Sequence, residues 1–300
     1  MDINFELYKV FYYVGKSLSF SMAAQQLYIS QSAVSQSIKN LEQKLDIPLF
    51  FRHTKQVKLT QEGELLLQHI EPAFHLIKTG ERNLQETLSL QRGEIRVGAS
   101  DTICRYYLLP YFQQFSEFYP HMKIQITNRT SPEGIHLLKQ GQVDVSVIHL
   151  PNPHLTSQIT VLPFREIQDV FIVGKAFFSL INEKRLLSLK ELEDKPFLML
   201  EKPTATRYFF DTFLAEQEIY IEPEIELGSL DLLVQLCKIG LGISIVPEEC
   251  IQDISKEDIQ ILPVQEMIPK RELGIAYLNS IPLSRGTQEW IRLLISSSNK

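Results

Sequence analysis

Residues that could read a DNA duplex lie close together near the start of the chain. Hydroxyl and amide side chains recur at short intervals over one segment: Ser30, Gln31, Ser32, Ser35 and Gln36. These groups form hydrogen bonds with base edges, and glutamine can pair with adenine through two bonds in the major groove. Lys39 follows and can hold a phosphate. We therefore expect this segment to contact duplex DNA.

The surrounding sequence predicts two short helices joined by a tight turn over residues 19–36. Ser30 is a good N-cap for the second helix. Along that helix, apolar residues recur at intervals of four, three and four, as in a buried stripe: Val34, Ile38, Leu41 and Leu45. The polar residues project from the opposite side, and a helix over residues 5–16 would brace the pair. The pattern predicts a helix-turn-helix with a free polar face.

Two short extended runs, residues 49–52 and 56–59, follow the second helix and predict a two-stranded wing. Basic residues lie at or beside its tip: Arg52, Lys55 and Lys58. Such residues suit phosphates or a narrow minor groove. The alternative is a solvated run of charges without a partner, and the neighbouring helices favour the first interpretation.

Residues 19–63 resemble the winged helix-turn-helix of the LysR-type transcriptional regulators. The matching residues occur in order and with that family's spacing: Phe20, Ala23, Ala24, Leu27, residues 30–35, Ile38, Leu41, Glu42, Leu45, Leu49, Phe50, Arg52, Leu59, Thr60 and Gly63. The resemblance extends more loosely over the whole chain. It implies a mainly α winged helix-turn-helix domain, a long linker helix and a two-lobed α/β effector domain similar to periplasmic binding proteins. It also implies a dimer of dimers that reads an inverted repeat in double-stranded DNA.

Charge is distributed unevenly along the chain. The whole chain has a net charge of -6, but residues 1–60 hold seven Lys or Arg and four Asp or Glu, which is +3, and the remainder holds 23 and 32, which is -9. A basic reader joined to an acidic remainder is compatible with DNA binding. Because +3 is modest, tight binding requires several copies acting together, and the sequence therefore predicts a homo-oligomer.

Other classes of protein lack their usual signals. The chain has no run of eighteen apolar residues and no charged-then-apolar leader at Met1, so we expect a cytoplasmic protein with no membrane partner. The three cysteines Cys104, Cys237 and Cys250 form no Cys-x-x-Cys pair, so neither a disulfide framework, a metal site nor a cofactor is predicted. Cys104, early in a predicted helix, could be a redox sensor, but packing is the default interpretation.

A long helical pattern runs from Thr60 to about Leu90, with apolar residues near the a and d heptad positions: Leu66, Ile70, Ala73, Phe74, Ile77, Leu84 and Leu88. We expect this seam to pair with a second subunit, as the resemblance implies, and Pro72 to kink the helix. The predicted domains are therefore residues 1–60 for DNA binding, 61–91 for the linker and 92–300 for effector binding.

After Gly93, apolar strands alternate with helical stretches, which predicts α/β domains with mainly parallel sheets. Nine strands are expected, at residues 95–98, 123–127, 143–148, 170–173, 197–200, 224–227, 243–246, 259–262 and 273–277. From the family resemblance, the first lobe would comprise about 93–163 and 268–300, and the second about 164–267, with two crossings between them.

Hydroxyl residues follow several of these strands, where helix N-termini offer unpaired N–H groups to a ligand. The candidates are Ser100, Asp101, Thr102, Ser131, Thr204, Thr206 and Ser229, with His149 as a wall residue. The resemblance carries effector binding onto Ser100, Thr102, Ser131 and Thr204 by position. Each hydroxyl alone could be a simple helix cap, and His149 a structural histidine. Together they suit a small carboxylate or inorganic anion, which Asp101 would oppose if it faced the cleft.

The sequence thus favours a regulator that reads DNA and responds to a small, anionic metabolite. The alternative is a solute-binding protein, which would leave the DNA-reading segment unexplained. An enzyme is not predicted, because the sequence has no Gly-x-Ser-x-Gly, no His-Glu-x-x-His, no glycine-rich phosphate loop and no paired carboxylates.

Overall fold

The computed structural model describes residues 3–51, 56–88, 93–181, 185–202 and 204–298. The chain forms two compact units, one of residues 1–82 with 140–142 and the other of residues 83–139 with 143–300. Within the described ranges, no helix is both long enough and apolar enough to cross a membrane.

The first unit begins with three helices, α1 (Phe5–Ser17), α2 (Phe20–Leu27) and α3 (Gln31–Leu45). Each follows a polar N-cap whose side chain accepts a main-chain N–H, namely Asn4, Ser19 and Ser30. Because these bonds satisfy N–H groups that a helix leaves unpaired, they fix where each helix starts. The helices enclose one apolar core: Val10, Phe11, Val14, Ala23, Ala24, Val34, Ile38, Leu41, Leu49 and Phe50.

The predicted wing follows α3. Phe50 and Leu59 pair as an antiparallel bridge, and the N–H of Phe51 donates to the carbonyl oxygen of Lys58 at 3.0 Å. Residues 52–55, including the predicted contacts Arg52 and Lys55, lie outside the described residues. The two predicted runs are therefore paired where the structure describes them.

The linker helix α4 (Gln61–Leu88) continues through Pro72 without a break. The predicted heptad seam is divided between two environments. Phe74 stacks on Tyr12 at 4.9 Å and on Phe5 at 5.4 Å, and Leu66 and Ile70 pack against the core of the first unit. The first unit therefore covers part of the seam, and pairing of the remainder with a second subunit stays a prediction. The exposed apolar residues of α4 are Leu65, Leu76, Ile77 and Leu84.

The second unit contains two five-stranded sheets. The first has the order β2-β1-β3-β10-β4, with β1 (Gly93–Ala99), β2 (Met122–Asn128), β3 (Val145–Leu150), β4 (Ile159–Ile167) and β10 (Arg271–Leu278). The second has the order β7-β6-β8-β5-β9, with β5 (Asp169–Gly174), β6 (Phe197–Leu200), β7 (Ile225–Leu227), β8 (Ile243–Pro247) and β9 (Ile259–Ile261). The sheets define the two lobes.

The sheets are mixed, not mainly parallel as predicted. Strands β10 and β5 enter their sheets after a crossing between lobes and pair antiparallel with β3, β4, β8 and β9. Strand β4 was missing from the prediction because Pro163 interrupts its apolar pattern. Proline is tolerated there because β4 is an edge strand. Since β4 stays in the first sheet to Ile167, the first crossing is at Gln168, a few residues later than expected.

Helices cover both sheets. In the first lobe, α5 (Asp101–Ile103), a π-helical turn (Cys104–Leu108) and α6 (Leu109–Phe118) follow β1, while α7 (Ser131–Lys139) follows β2 and α10 (Arg285–Ser298) follows β10. In the second lobe, α8 (Ala205–Glu216) follows β6 and α9 (Leu230–Lys238) follows β7. Short 3-10 helices lie at Lys175–Leu180, Leu189–Leu192 and Glu248–Ile251. Trp290 and Phe115 are buried in the first core, and Phe171 and Phe210 in the second.

Candidate functional sites

The polar face of α3 is exposed as the sequence predicts. The six predicted residues of this segment are all exposed: Ser30, Gln31, Ser32, Ser35, Gln36 and Lys39. Val34, Ile38 and Leu41 are buried on the other side. The Ser30 hydroxyl accepts the N–H of Ala33 at 3.2 Å, so it serves as the N-cap. The helix therefore presents a continuous polar surface on a rigid apolar base.

Two further residues of this surface were missed by the sequence reasoning. The amide Nε2 of Gln36 donates to Oδ1 of Asn40 at 2.8 Å, which orients the glutamine and leaves its Oε1 available as an acceptor. Tyr28, in the turn between α2 and α3, is 95% exposed and has a φ of 55°. The spacing of four between Gln36 and Asn40 is a readable helical signal, whereas the exposure of Tyr28 depends on the turn geometry.

Of the three predicted wing cations, the structure describes Lys58, which is exposed. Its main chain pairs with Phe51 next to the bridge between Phe50 and Leu59. The position of Lys58 is therefore set by this main-chain pairing and by the ring of Phe50, which anchors the wing on the core of the first unit. Phe50 packs against Phe11 at 5.7 Å and Phe20 at 5.8 Å.

A second candidate site is a cavity of about 350 Å³ between the two lobes of the second unit. All eight residues predicted to contact an effector line it: Ser100, Asp101, Thr102, Ser131, His149, Thr204, Thr206 and Ser229. The other lining residues are Asn128, Arg129, Thr130, Leu200, Ala205, Gly228, Leu230 and Asp231. They come from loops that follow several strands in both lobes, so the fold brings together residues that are far apart in the sequence.

Three of the hydroxyl residues that line the cavity also cap helices. The hydroxyl oxygens of Ser100, Thr204 and Ser229 each accept the main-chain N–H of the residue three positions later. The three distances are 3.3, 3.2 and 3.4 Å respectively. Ser131 does not cap α7, because it is already the first helical residue and its Oγ accepts the N–H of His149 at 3.2 Å. Thr130 takes the capping position instead, since its carbonyl oxygen accepts the N–H of Gly134 at 2.8 Å.

A buried polar network lies behind the cavity. The Arg271 guanidinium donates from Nε and Nη2 to the two carboxylate oxygens of Asp169, at 2.6 and 2.7 Å. Its Nη1 is 3.3 Å from both His149 Nδ1 and Thr206 Oγ1. Asp169 and Arg271 begin the two strands that follow the crossings between lobes. One guanidinium therefore connects both crossings to a cavity wall in each lobe.

The network fixes the protonation of His149. Burial, and then the charge of Arg271, hold the pKa of His149 well below its ordinary value, so the imidazole is neutral at neutral pH. Because Arg271 can only donate, His149 Nδ1 accepts and its proton is on Nε2. The alternative of a structural histidine and the prediction of a wall residue are compatible, since His149 is buried and also lines the cavity.

The charged residues at the cavity are largely paired. Asp231 accepts from Arg105 Nη1 at 2.6 Å and from the Tyr106 hydroxyl at 2.5 Å. Asp101, which does line the cavity, accepts from Asn128 Nδ2 at 3.3 Å. Arg129 donates to the carbonyl oxygen of Asn128 at 2.7 Å, and its charge also interacts with the Glu133 carboxylate.

Arg207, in the first turn of α8, does not line this cavity. It is bound by Asp211 at 2.7 Å and by Glu226 at 2.6 Å. Both acceptors are on the second lobe, so the guanidinium is used within that lobe.

The redox interpretation of Cys104 receives no support from its surroundings. Burial, followed by the charge of Asp101, raises the pKa of the Cys104 thiol to about 11. A sensor thiol needs a lowered pKa, because the thiolate is the reactive form. Cys104 is therefore a protonated packing residue at neutral pH.

Both units of the chain match models of known protein families. The family model of the bacterial regulatory helix-turn-helix protein, lysR family, matches residues 5–64, and that of the LysR substrate binding domain matches residues 89–298. A probable RuBisCO transcriptional regulator of Trichormus variabilis is 29% identical over 264 residues, which cover 86% of this chain and 78% of that protein.

Solved structures share the fold at lower identity. A variant of full-length OxyR from Pseudomonas aeruginosa superposes with a TM-score of 0.72 and 20% identity, over 100% of this chain and 95% of that one. The regulatory domain of Synechocystis PCC6803 CcmR, in complex with 2-PG, superposes with a TM-score of 0.63 and 21% identity, over 70% of this chain and 99% of that one. With a matching DNA-binding module at one end and a matching effector module over most of the remainder, the chain belongs to the LysR family of bacterial transcriptional regulators.

Proposed function

We propose that this regulator reads DNA with the exposed face of α3 and with its wing, and that a small anion in the cavity between the lobes controls it. One observation supports control by an anion: hydroxyl residues at helix N-termini in both lobes line the same cavity. A ligand there touches both lobes at once, so its binding energy favours one arrangement of the lobes over others.

The DNA contacts divide into two kinds. Gln31, Ser32, Ser35 and Gln36 are assigned to base edges or neighbouring phosphates, with Ser30 at the start of the helix; Lys39, Lys58, Arg52 and Lys55 are assigned to the backbone. Asn40 supports the role of Gln36, because a fixed glutamine loses less side-chain entropy when it pairs with a base. Base contacts determine sequence preference, whereas phosphate contacts add affinity without preference.

The test compares Gln36→Ala with Lys58→Ala on a duplex that the wild-type protein selects from genomic fragments and on random duplex. Gln36→Ala should lower the affinity ratio between the two duplexes by about 5- to 150-fold, the value of one bidentate base contact. Lys58→Ala should weaken both about equally and reduce the salt dependence. Equal losses for both variants on both duplexes would contradict this assignment.

The proposal of an anionic ligand is supported by dipoles more than by net charge. The N-termini of α7, α8 and α9 and of the helix that starts at Asp101 carry partial positive charge, and their N–H groups are suited to anions. Ser100, Ser131 and Ser229 use their oxygens as acceptors, so their O–H groups are available to donate. The neutral His149 offers one more donor at Nε2.

The charged side chains that line the cavity are Asp101, Asp231 and Arg129. Asp231 is paired with Arg105, and Glu133 lies near Arg129 and bonds Thr130. Side-chain charge therefore does not by itself attract an anion, and Asp101 opposes one locally. A small, compact anion held by N–H and O–H donors beside Arg129 fits this balance better than a highly charged one.

A thermal-shift series on the full chain with sulfate, phosphate and small carboxylates tests the ligand. An anion at 100 times its dissociation constant should stabilise the wild-type protein by about 2.7 kcal/mol. Arg129→Gln should reduce the shift, whereas Lys190→Gln, which also removes one exposed cation, should leave it unchanged. Absence of any shift across the series, or an undiminished shift in Arg129→Gln, would rule out this mode of binding.

The Asp101→Asn variant should change anion affinity in the opposite direction to Arg129→Gln. Removing a carboxylate that opposes the ligand should tighten anion binding, and the asparagine still fits the first turn of the helix. Weaker binding by this variant would mean that Asp101 itself takes part in holding a ligand with a donor or cationic group.

We also infer that the protein is a cytoplasmic dimer of dimers, with the predicted domains at residues 1–60, 61–91 and 92–300. The exposed apolar residues of α4, Leu65, Leu76, Ile77 and Leu84, support pairing of this helix with a second copy. Sedimentation at micromolar concentration should give tetramers, and a pure monomer would contradict the inference. CcmR, in complex with 2-PG, supports small-molecule control in a domain of this fold.

A further inference from the structure

A carboxylate is buried in the DNA-reading unit, on the side of α3 that faces away from the polar surface. Glu42 is 7% exposed, and its Oε1 accepts the N–H of Leu49 at 2.7 Å and that of Phe50 at 3.2 Å. These two residues lie in the first extended run of the wing, directly after the turn that follows α3, and Phe50 forms the bridge to Leu59. The same carboxylate oxygen therefore joins the recognition helix to the root of the wing.

The energetics of this group indicate what it does. A buried carboxylate is costly unless donors compensate it, and a negative charge in a unit that approaches phosphates opposes binding. A direct contact with DNA is excluded by its burial on the inner face. Among the contacts of Glu42, the bonds from the main-chain N–H groups of Leu49 and Phe50 connect it to the wing.

We propose that Glu42 is a positioning residue for DNA binding, which sets the wing, and with it Lys58, against the reading face of α3; this inference rests on the DNA contacts proposed above for Lys58 and α3. The path is short. Glu42 fixes the N–H groups of Leu49 and Phe50, the adjoining Phe51 pairs with Lys58, and the exposed ammonium of Lys58 lies beyond this pairing.

A second side chain, Thr60, joins the end of the wing to its beginning. Thr60 Oγ1 donates to the carbonyl oxygen of Pro48 at 2.8 Å and accepts the N–H of Gly63 at 3.0 Å. A Cβ at Gly63 would lie 2.2 Å from the carbonyl oxygen of Leu49, so α4 can approach the wing this closely only with glycine there. Glu42 and Thr60 thus both bind main-chain groups of residues 48–50 at the root of the wing.

Apolar packing alone does not supply this constraint. The ring of Phe50 contacts Phe11 and Phe20, which fixes where the side chain lies, and the main-chain bonds to Lys58 and Thr60 join the two runs of the wing to each other but not to α3. Main-chain hydrogen bonds to one fixed oxygen of α3 are directional, so they restrict the orientation of the wing relative to that helix. This difference makes the proposal testable through a property of the wing rather than of the core.

The experiment measures the affinity of the full chain for a labelled random duplex as a function of salt, so no operator is needed. Glu42→Ala should weaken binding by about tenfold at low salt and lower the salt slope by about one, the contribution of one phosphate contact. Glu42→Gln keeps an acceptor oxygen and should weaken binding clearly less than Glu42→Ala. Glu62→Ala removes an exposed carboxylate from the same unit and is the charge-matched control, with binding unchanged or slightly tighter.

The sign of the effect separates the proposal from simple electrostatics. Loss of a negative charge by itself favours binding to a polyanion, so tighter binding by Glu42→Ala, as in the control, would overturn the proposal. Weaker binding with an unchanged salt slope would also overturn it, since that pattern indicates a general loss of folded protein.

A double-mutant cycle with Lys58→Ala completes the test. If Glu42 acts through the wing, its substitution should cost clearly less in the Lys58→Ala background than in the wild-type protein. Full additivity would contradict the proposal. If Glu42→Ala fails to fold, Glu42→Asp takes its place in every measurement, because the shorter side chain keeps the charge but withdraws the acceptor from Leu49 and Phe50.

Discussion

The DNA-reading unit and the effector unit use polar residues in opposite ways. In the reading unit, the residues assigned to DNA are exposed on one helix and the wing, and the core beneath them is apolar. In the effector unit, the cavity is backed by a buried ion pair, a buried histidine and a buried threonine: Asp169, Arg271, His149 and Thr206. Recognition is separate from folding in the first unit and coupled to folding in the second.

The physical reason is the partner that each unit binds. A duplex is large and rigid, so a surface of exposed donors and acceptors on a helix suffices. A small ligand must be enclosed to gain comparable energy per contact, which requires polar groups at depth and therefore a compensating network. We accordingly expect substitutions of the DNA-contacting residues to lower DNA affinity alone. Substitutions of the residues that line or support the cavity should lower the stability of the fold as well.

The largest expected effect is at Arg271. Arg271→Met leaves the Asp169 carboxylate buried without its guanidinium, which should lower the free energy of unfolding by about 3–5 kcal/mol. Urea unfolding followed through Trp290, the single tryptophan, measures this. Lys270→Met is the matched control, because its pair with Glu166 is exposed, and should change the value by about 0.5 kcal/mol or less. Similar losses for both variants would remove the contrast between the units.

An intermediate effect should come from pH. His149 has a pKa held well below the ordinary value of about 6.5, so below that pH the unfolded chain binds a proton that the folded chain does not. Its contribution to stability is thus complete above about pH 6.5 and falls by about 1.4 kcal/mol per pH unit as the pH drops below it. The difference in urea midpoint between wild type and His149→Gln should show this dependence. Replacing the exposed His154 should not alter it, and an unchanged wild-type profile in His149→Gln would contradict the expectation.

The smallest effect compares one helix cap in each unit. Ser30→Ala and Ser229→Ala remove N-cap bonds of 3.2 and 3.4 Å, each worth about 1 kcal/mol. Amide exchange in the first turns of α3 and α9 should speed up by about fivefold in the respective variant. Ser229→Ala should in addition weaken anion binding, whereas Ser30→Ala should leave it unchanged. Loss of anion binding in Ser30→Ala would show that the two sites are not independent.

The sequence by itself determined most of the reading unit, because its signals are local. A period of 3.6 residues assigns Val34, Ile38 and Leu41 to the core and Gln36 to the surface within one helix. The same reasoning located the hydroxyl residues of the cavity, since each follows a strand. It failed at β4, where Pro163 conceals an edge strand, and at Ser131, where a neighbouring strand supplies the hydrogen bond that a cap would have made.

Only the tertiary structure decided which distant residues meet. Asp169 and Arg271 are separated by more than one hundred positions, yet they form the bidentate pair that orients His149 and Thr206. In the sequence, Glu42 is one more residue of a predicted helix, and only the structure shows that it accepts hydrogen bonds from the wing. Periodicity reports which face of an element is buried, but the partner of a buried charge depends on contacts between elements, and a single sequence carries no local signal for those.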